Sequence, residues 1–348
     1  MRKLLILLVA VTMLASCDSG KYRVKAMLAD GSQNGKTAYL TDYDTGDTIA
    51  TASVTGDSLI FTGIEKNPRV VKIIGAARGT LILESGDIVF DAKEYTITGT
   101  DHNVTLSELF KAEGKLEAAN DSVQQIASLS DAEKDAFSRD IDRQITALYK
   151  EYFNDNKRNP VGYYAFFNYT YEMSSAQLDS VLDKAPSKLR EMKRVERWLN
   201  NAKQREEHGV GSKMVDFAIT TEDGAVMHLS DFVGKGRYVL VDFWASWCPF
   251  CIKEIPLIHD LYTTYNEKGL DVVGVTCGRY NADDTFRAIE RYDIVWPQIL
   301  NTGDIATTAY GISGIPCVII FDPQGTIVSR GKQGEELKAD VARLMGAV

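Results

Sequence analysis

Cysteine is scarce: the 348-residue chain holds five, too few for a fold stapled by disulfides, so each must be read by its own surroundings. Positive charge is also in deficit, with 39 Lys and Arg against 48 Asp and Glu and a net charge of −9. A surface of that sign repels phosphate backbones, which argues against nucleic-acid binding. No apolar run approaches the ~20 residues needed to span a bilayer. Eight prolines and 27 glycines exclude collagen-like and low-complexity architectures, and no repeat of fixed period is present. Metal-ligand spacing is missing too. There is a single C-x-x-C and no H-x-x-x-H, whereas structural zinc takes four ligands; His102, His208, His228 and His259 are scattered. What is left is ordinary globular usage, 45% hydrophobic and 25% charged, in a length that accommodates two domains.

The first 17 residues read as an address. Met1-Arg2-Lys3 is basic, residues 4–14 are apolar and Ala15-Ser16-Cys17 are small, the layout of a secretory signal. Leu14-Ala15-Ser16-Cys17 resembles the bacterial lipobox, whose cysteine is acylated and becomes the first residue of the mature chain. The expectation is a lipid-anchored, extracytoplasmic and periplasm-facing protein with Cys17 as its lipidation site. Two or more acyl chains make such an anchor stable.

Three segments follow. Residues 21–104 show short β-rich runs, such as 70–74 and 80–83, divided by the turn signals Asp30-Gly31, Asn34-Gly35, Thr45-Gly46, Thr55-Gly56 and Ser85-Gly86-Asp87. That spacing predicts a small antiparallel sandwich or barrel, and no cluster of chemistry-bearing side chains stands in it. Residues 105–207 switch to helical periodicity: Leu106, Leu109 and Phe110 share one face, as do Ile141, Ile145, Leu148 and Tyr149. The aromatic run 163–167 after Asn159-Pro160 is expected in the core. The charged stretch 184–208 is expected as a solvated helix leading into the last domain, the whole of 105–207 forming a helical linker region.

The chemistry lies in residues 209–348. A hairpin signal at Glu222-Asp223-Gly224 precedes 238–244, a continuous apolar run interrupted only by Asp242, as expected of a strand buried on both faces. Next come Trp247-Cys248-Pro249-Phe250-Cys251 and then Ile252, Ile255, Ile258 and Leu261 at helical steps. Cys248 therefore caps a helix whose first turn carries proline. Unpaired N–H groups and the positive helix end favour a thiolate there. Cys251, one turn along, can attack a mixed disulfide, and Asp242 can accept its proton. A carboxylate in such a strand is costly unless it has a role. Residues 270–276 read as a strand, 284–291 as a helix, 317–321 as a strand opened by Pro316, and 335–345 as a closing helix. The order predicts an α/β mixed sheet with helices on both faces.

Val241-Asp242-Phe243-Trp244-Ala245-Ser246-Trp247-Cys248-Pro249-Phe250-Cys251, with Pro256 and with Gly314-Ile315-Pro316 downstream, resembles thioredoxin. The long interval between Cys251 and Pro316 resembles the strand–helix insertion of TlpA/ResA-like membrane-anchored thiol-disulfide oxidoreductases. The segments before residue 209 resemble, more weakly, the N-terminal regions of Bacteroidetes lipoproteins fused to such domains. The resemblance implies a thioredoxin-like C-terminal domain with Cys248 attacking, Cys251 resolving, Asp242 as the buried acid and Trp247 beside the pair. It also implies a cis-Pro316 facing the disulfide and an Ile315 backbone that pairs with an extended substrate. It implies no cofactor beyond the Cys248–Cys251 couple and no metal. The expected partners are disulfide-containing extracytoplasmic proteins, a membrane thiol donor and the membrane itself. Two departures stand out. Pro-Phe replaces the Gly-Pro of thioredoxin, so the potential cannot be carried over. Cys317 stands where threonine is usual, and Cys277 ends a neighbouring strand. These two are accessory thiols, expected two strand spacings apart and beyond disulfide reach.

The leading expectation is a reductase. An oxidase or isomerase on the same scaffold is the nearest alternative, and a partner-binding lipoprotein with an accessory redox domain is another. A peroxiredoxin-type peroxidase is disfavoured by Ala245, where the Thr-x-x-Cys setting requires threonine.

Overall fold

A computed structural model describes residues 20–221 and 224–346. The signal segment with Cys17, and Glu222-Asp223 of the expected hairpin turn, lie outside the described residues. The chain divides into two compact units, 1–169 and 170–348.

In the first unit, β1 (Lys21–Met27), β2 (Thr37–Asp42), β3 (Thr48–Ser53), β4 (Ser58–Ile64), β5 (Arg69–Gly75), β6 (Gly79–Leu83), β7 (Gly86–Asp91) and β8 (Thr96–Thr98) build two four-stranded sheets. Their orders are β4-β1-β7-β8 and β3-β2-β5-β6. Alternation explains the layering: Val24, Ala26, Leu59, Phe61, Ile88 and Phe90 of one sheet, and Ala38, Leu40, Val71, Ile73 and Leu81 of the other, are buried. The Phe90 ring fills the space over Gly79, where a Cβ would collide. One expectation is corrected. The sandwich is not wholly antiparallel, because β1 and β7 pair in parallel; β5 and β6 cross to the other sheet and the chain re-enters alongside β1.

The strands are followed by α1 (Asp101–Gln124), α2 (Asp131–Asp155) and α3 (Pro160–Tyr169). Asn103 at the start of α1 is fully buried and accepts the Ile82 N–H at 2.9 Å while donating to the Ile82 carbonyl at 2.7 Å. It completes the hydrogen bonding of β6, all five residues of which are buried. The aromatic run lies in the core: Phe166 packs on Phe153 and Phe167 on Tyr43, with centroids 5.8 and 5.7 Å apart.

The second unit begins with α4 (Ser175–Leu182), α5 (Ser187–Arg190) and α6 (Lys193–Glu207). The expected single solvated helix is thus broken at Met192, and 105–207 is not one linker: its last third groups with the C-terminal sheet. Two backbone contacts explain this. Gly311, at φ +60, lies directly against the α6 backbone at Asn201 and Arg205. Arg330 donates to the carbonyls of His208, at 2.8 Å, and Tyr310.

The rest comprises β9 (Ala218–Thr220), β10 (Val226–His228), β11 (Tyr238–Trp244), α7 (Pro249–Tyr265), β12 (Leu270–Thr276), α8 (Ala282–Arg291), β13 (Gln298–Ile299), α9 (Ile305–Ala309), β14 (Cys317–Phe321), β15 (Ile327–Arg330) and α10 (Gly334–Gly346). β9 and β10 form the expected antiparallel hairpin. The main sheet has the order β13-β12-β11-β14-β15, with β11, β12 and β13 parallel and β14 antiparallel to both its neighbours, β11 and β15. This is the mixed sheet of a thioredoxin-like domain. β11 is central, which is why it is apolar on both faces. Leu240 and Trp244 face the core built with Ile255, Ile258 and Leu261 of α7 and Leu337 and Val341 of α10. Val239, Val241 and Phe243 face the opposite core, with Phe217, Tyr310 and Phe321.

Candidate active site

The period of two along β11 puts Asp242 on the same face as Leu240 and Trp244, under the start of α7. Cys248 is the N-cap of α7, and the Cys251 N–H points at its Sγ from 3.2 Å. A donor aimed at that sulfur, at a helix N-terminus, stabilises negative charge on it. Cys248 and Cys251 are joined in a disulfide with Cα atoms 5.3 Å apart. Cysteines three apart in one helical turn meet this separation without backbone movement.

Across from the pair, the Ile315–Pro316 peptide is cis and the Ile315 carbonyl oxygen stands 3.7 Å from Cys248 Sγ. The loop at Ile315–Pro316 and the α7 N-terminus, 67 residues apart in sequence, are thereby brought to one point. Trp247 is 43% exposed and its indole N–H donates to the Arg279 carbonyl at 2.8 Å. Phe250 is 69% exposed, so the disulfide has an apolar rim on its helix side. Beyond Trp247 a cleft of about 610 Å³ runs along α8, lined by Ser246, Ile252, Arg287, Arg291 and Tyr292 among others.

Asp242 is 2% exposed, and its Oδ1 has no hydrogen-bond partner among the described residues. Burial pushes its pKa up to about 8, and the nearby Glu254 adds to the shift. Glu254, three residues after Cys251 on α7, accepts the Gly334 N–H at 2.9 Å and is itself raised by burial. Sequence reasoning missed it, although its helical offset from Cys251 was a usable signal. Tyr171 was missed as well: its hydroxyl stands over Gly314, and nothing local in the sequence links positions so far apart.

The accessory thiols are placed differently. Cys277 and Cys317 pack with the core on the face opposite Cys251, on either side of β11, so the sheet separates them from the redox pair. Burial raises Cys277 to about 12 and Cys317 to about 11. Among the described residues no group of His, Cys, Asp and Glu could hold a metal ion, and no helix is long and apolar enough to cross a membrane.

A cysteine pair beside the partly buried Ile315 carbonyl, with a protonatable acid on the same face of the sheet, can exchange electrons with another disulfide. The chain is similar to known proteins. The AhpC/TSA family model matches residues 210–330. The thiol-disulfide oxidoreductase ResA of Bacillus thuringiensis is 32% identical over 133 residues, covering 37% of this chain and 72% of that protein. ResA of Geobacillus kaustophilus is 30% identical over 139 residues, 40% of this chain and 78% of its own length. Among solved structures, the thioredoxin domain of a thiol-disulfide oxidoreductase from Bacteroides vulgatus is 32% identical, covering 39% of this chain and 98% of that one at a TM-score of 0.36. A thiol:disulfide interchange protein from Bacteroides sp. is 31% identical, covering 40% and 92% at a TM-score of 0.36.

Proposed function

Because the chain belongs to the thioredoxin-fold family of ResA-like thiol-disulfide oxidoreductases, we propose that it reduces protein disulfides outside the cytoplasm, held at a membrane by lipid on Cys17. The observation that carries the catalytic reading is the position of Cys248: Sγ at the α7 N-terminus, 3.7 Å from the Ile315 carbonyl beside Pro316.

In the reduced enzyme the Cys248 thiolate attacks one sulfur of a client disulfide. The client's other sulfur leaves and takes up a proton, and a Cys248–client disulfide remains. Cys251 gives its proton to the Asp242 carboxylate and attacks Cys248 Sγ. The second client thiol departs and the Cys248–Cys251 disulfide forms. Two electrons have passed to the client, and a membrane thiol donor returns them. The extended client segment lies against the Ile315 backbone, a form of strand addition, with Trp247 and Phe250 as apolar flanks.

Peroxidase chemistry is disfavoured by the buried Ala245, which offers no hydroxyl to a peroxide.

The test is covalent trapping. Cys251→Ser in the full chain accumulates mixed disulfides with extracytoplasmic proteins, released by dithiothreitol, and Cys248→Ser accumulates none. Recovery of no covalent partner with Cys251→Ser overturns the protein-reductase reading.

A further inference from the structure

The loop that carries Ile315 and Pro316 is gripped by a segment lying outside the region matched by the family model, 210–330. Gly311 packs on the α6 backbone, and Arg330 ties the end of α6 at His208 to the Tyr310 carbonyl. Arg205 reaches back from α6 to the carbonyls of Tyr171, at 3.4 Å, and Met173, at 2.5 Å. Trp198 donates to the Thr170 hydroxyl at 3.1 Å, and its ring supports that of Tyr171 at 5.9 Å. This scaffold fixes both the backbone and the ring plane of Tyr171.

The ring so held points at the substrate loop. The Tyr171 hydroxyl occupies the space a Cβ on residue 314 would need, so any other residue at Gly314 would push the ring aside. Tyr171 is nevertheless 46% exposed, and among the described residues nothing hydrogen-bonds its hydroxyl. A half-exposed phenol held rigid against a backbone, with its donor and acceptor unspent, is built to meet something from solvent. A peptide that pairs with the Ile315 backbone to bring its sulfur to Cys248 must pass Gly314 and meet this phenol.

We propose that Tyr171 is a specificity-determining residue of the disulfide exchange. It forms the far wall of the client groove, opposite Trp247 and Phe250, and hydrogen-bonds the main chain of an extended client. The preferred substrate is therefore a disulfide within an extended polypeptide with apolar neighbours, rather than a small-molecule disulfide that ends before reaching Gly314. The inference rests on the reading of Cys248 as the attacking thiol.

The test compares the pre-reduced full chain with Tyr171→Phe and Tyr171→Ala. The two oxidants are a linear peptide carrying a mid-chain mixed disulfide and hydroxyethyl disulfide, each in excess, and the single-turnover rate at saturation and the half-saturating concentration are obtained for each. The selectivity for peptide over hydroxyethyl disulfide falls about tenfold in Tyr171→Ala and about threefold in Tyr171→Phe, as loss of a wall and of one hydrogen bond require. The change lies in the half-saturating concentration of the peptide rather than in the saturating rate. Tyr171→Phe keeps the ring on Trp198 and reads the hydroxyl alone, should the alanine variant fold poorly. Unchanged selectivity in Tyr171→Phe, or an equal loss on both oxidants, overturns the proposal. Peptide reduction surviving Cys248→Ser instead overturns the catalytic reading on which it stands.

Discussion

Asp242 carries the sharpest residue-level consequences. With its pKa raised to about 8 by burial and by Glu254, only about a tenth of it is ionised at pH 7. As the proton acceptor for Cys251, it makes resolution of the mixed disulfide accelerate as pH rises through 8. Asp242→Asn slows resolution by roughly ten- to a hundredfold and abolishes that pH dependence, while the first attack changes less; rapid-quench trapping of the mixed disulfide measures both. A resolution rate unchanged at neutral pH would remove the assignment. The same shift predicts a stability effect. In the unfolded chain the carboxyl ionises near its ordinary value, whereas in the folded chain it resists ionisation until about pH 8. Stability is full below the unfolded value and is lost as pH rises toward the folded one. Asp242→Asn therefore stabilises the protein at pH 7, on the order of 2 kcal/mol once the unpaired buried amide is set against the gain, and flattens its pH profile in denaturant titrations. Cys277 and Cys317, raised to about 12 and about 11, stay protonated near neutrality. Iodoacetamide at pH 7.5 labels Cys248 of the reduced protein well before either, as peptide mapping checks; equal labelling contradicts the thiolate character that the α7 N-terminus gives Cys248. Cys248, Cys251, Asp242 and Pro316 were legible because their signals are local: a strand, a helix start, a proline. Tyr171 was not, because it matters only through a partner that folding supplies, whereas Glu254 was overlooked despite its helical offset from Cys251.

At the scale of elements, periodicity was a good guide wherever one face is buried. β11, α7, β12 and β14 stand where the sequence places them, since an apolar run in a central strand and a 3.6-residue repeat on its covering helix leave little choice. The parallel pairing of β1 with β7 was not legible: period two reports which face is buried, and strand direction follows from how the chain crosses between sheets. β6 shows how one side chain completes an element. Asn103→Ala leaves the N–H and C=O of Ile82 without partners inside a fully buried strand. The cost is about 2–4 kcal/mol, read as a lower denaturation midpoint by circular dichroism; a loss under about 0.5 kcal/mol contradicts the edge-completing role.

At the scale of the whole molecule, charge misled the reading of domain organisation. The surface of α4–α6 is polar enough to pass for a solvated linker, yet its attachment runs through backbone contacts at Gly311 and carbonyls held by Arg330 and Arg205, which no hydropathy pattern records. A fragment beginning at residue 170 therefore melts at a higher temperature than one beginning at 209; equal melting temperatures would restore the linker. The central claim concerns the direction in which electrons flow, and the reduction potential of the Cys248–Cys251 couple tests it most directly, measured on the chain from residue 18 equilibrated against defined thiol buffers. The account predicts a value at or below about −250 mV, that of a reductase recharged by a strong thiol donor. A value between about −180 and −120 mV would contradict it and make the protein an oxidase or isomerase.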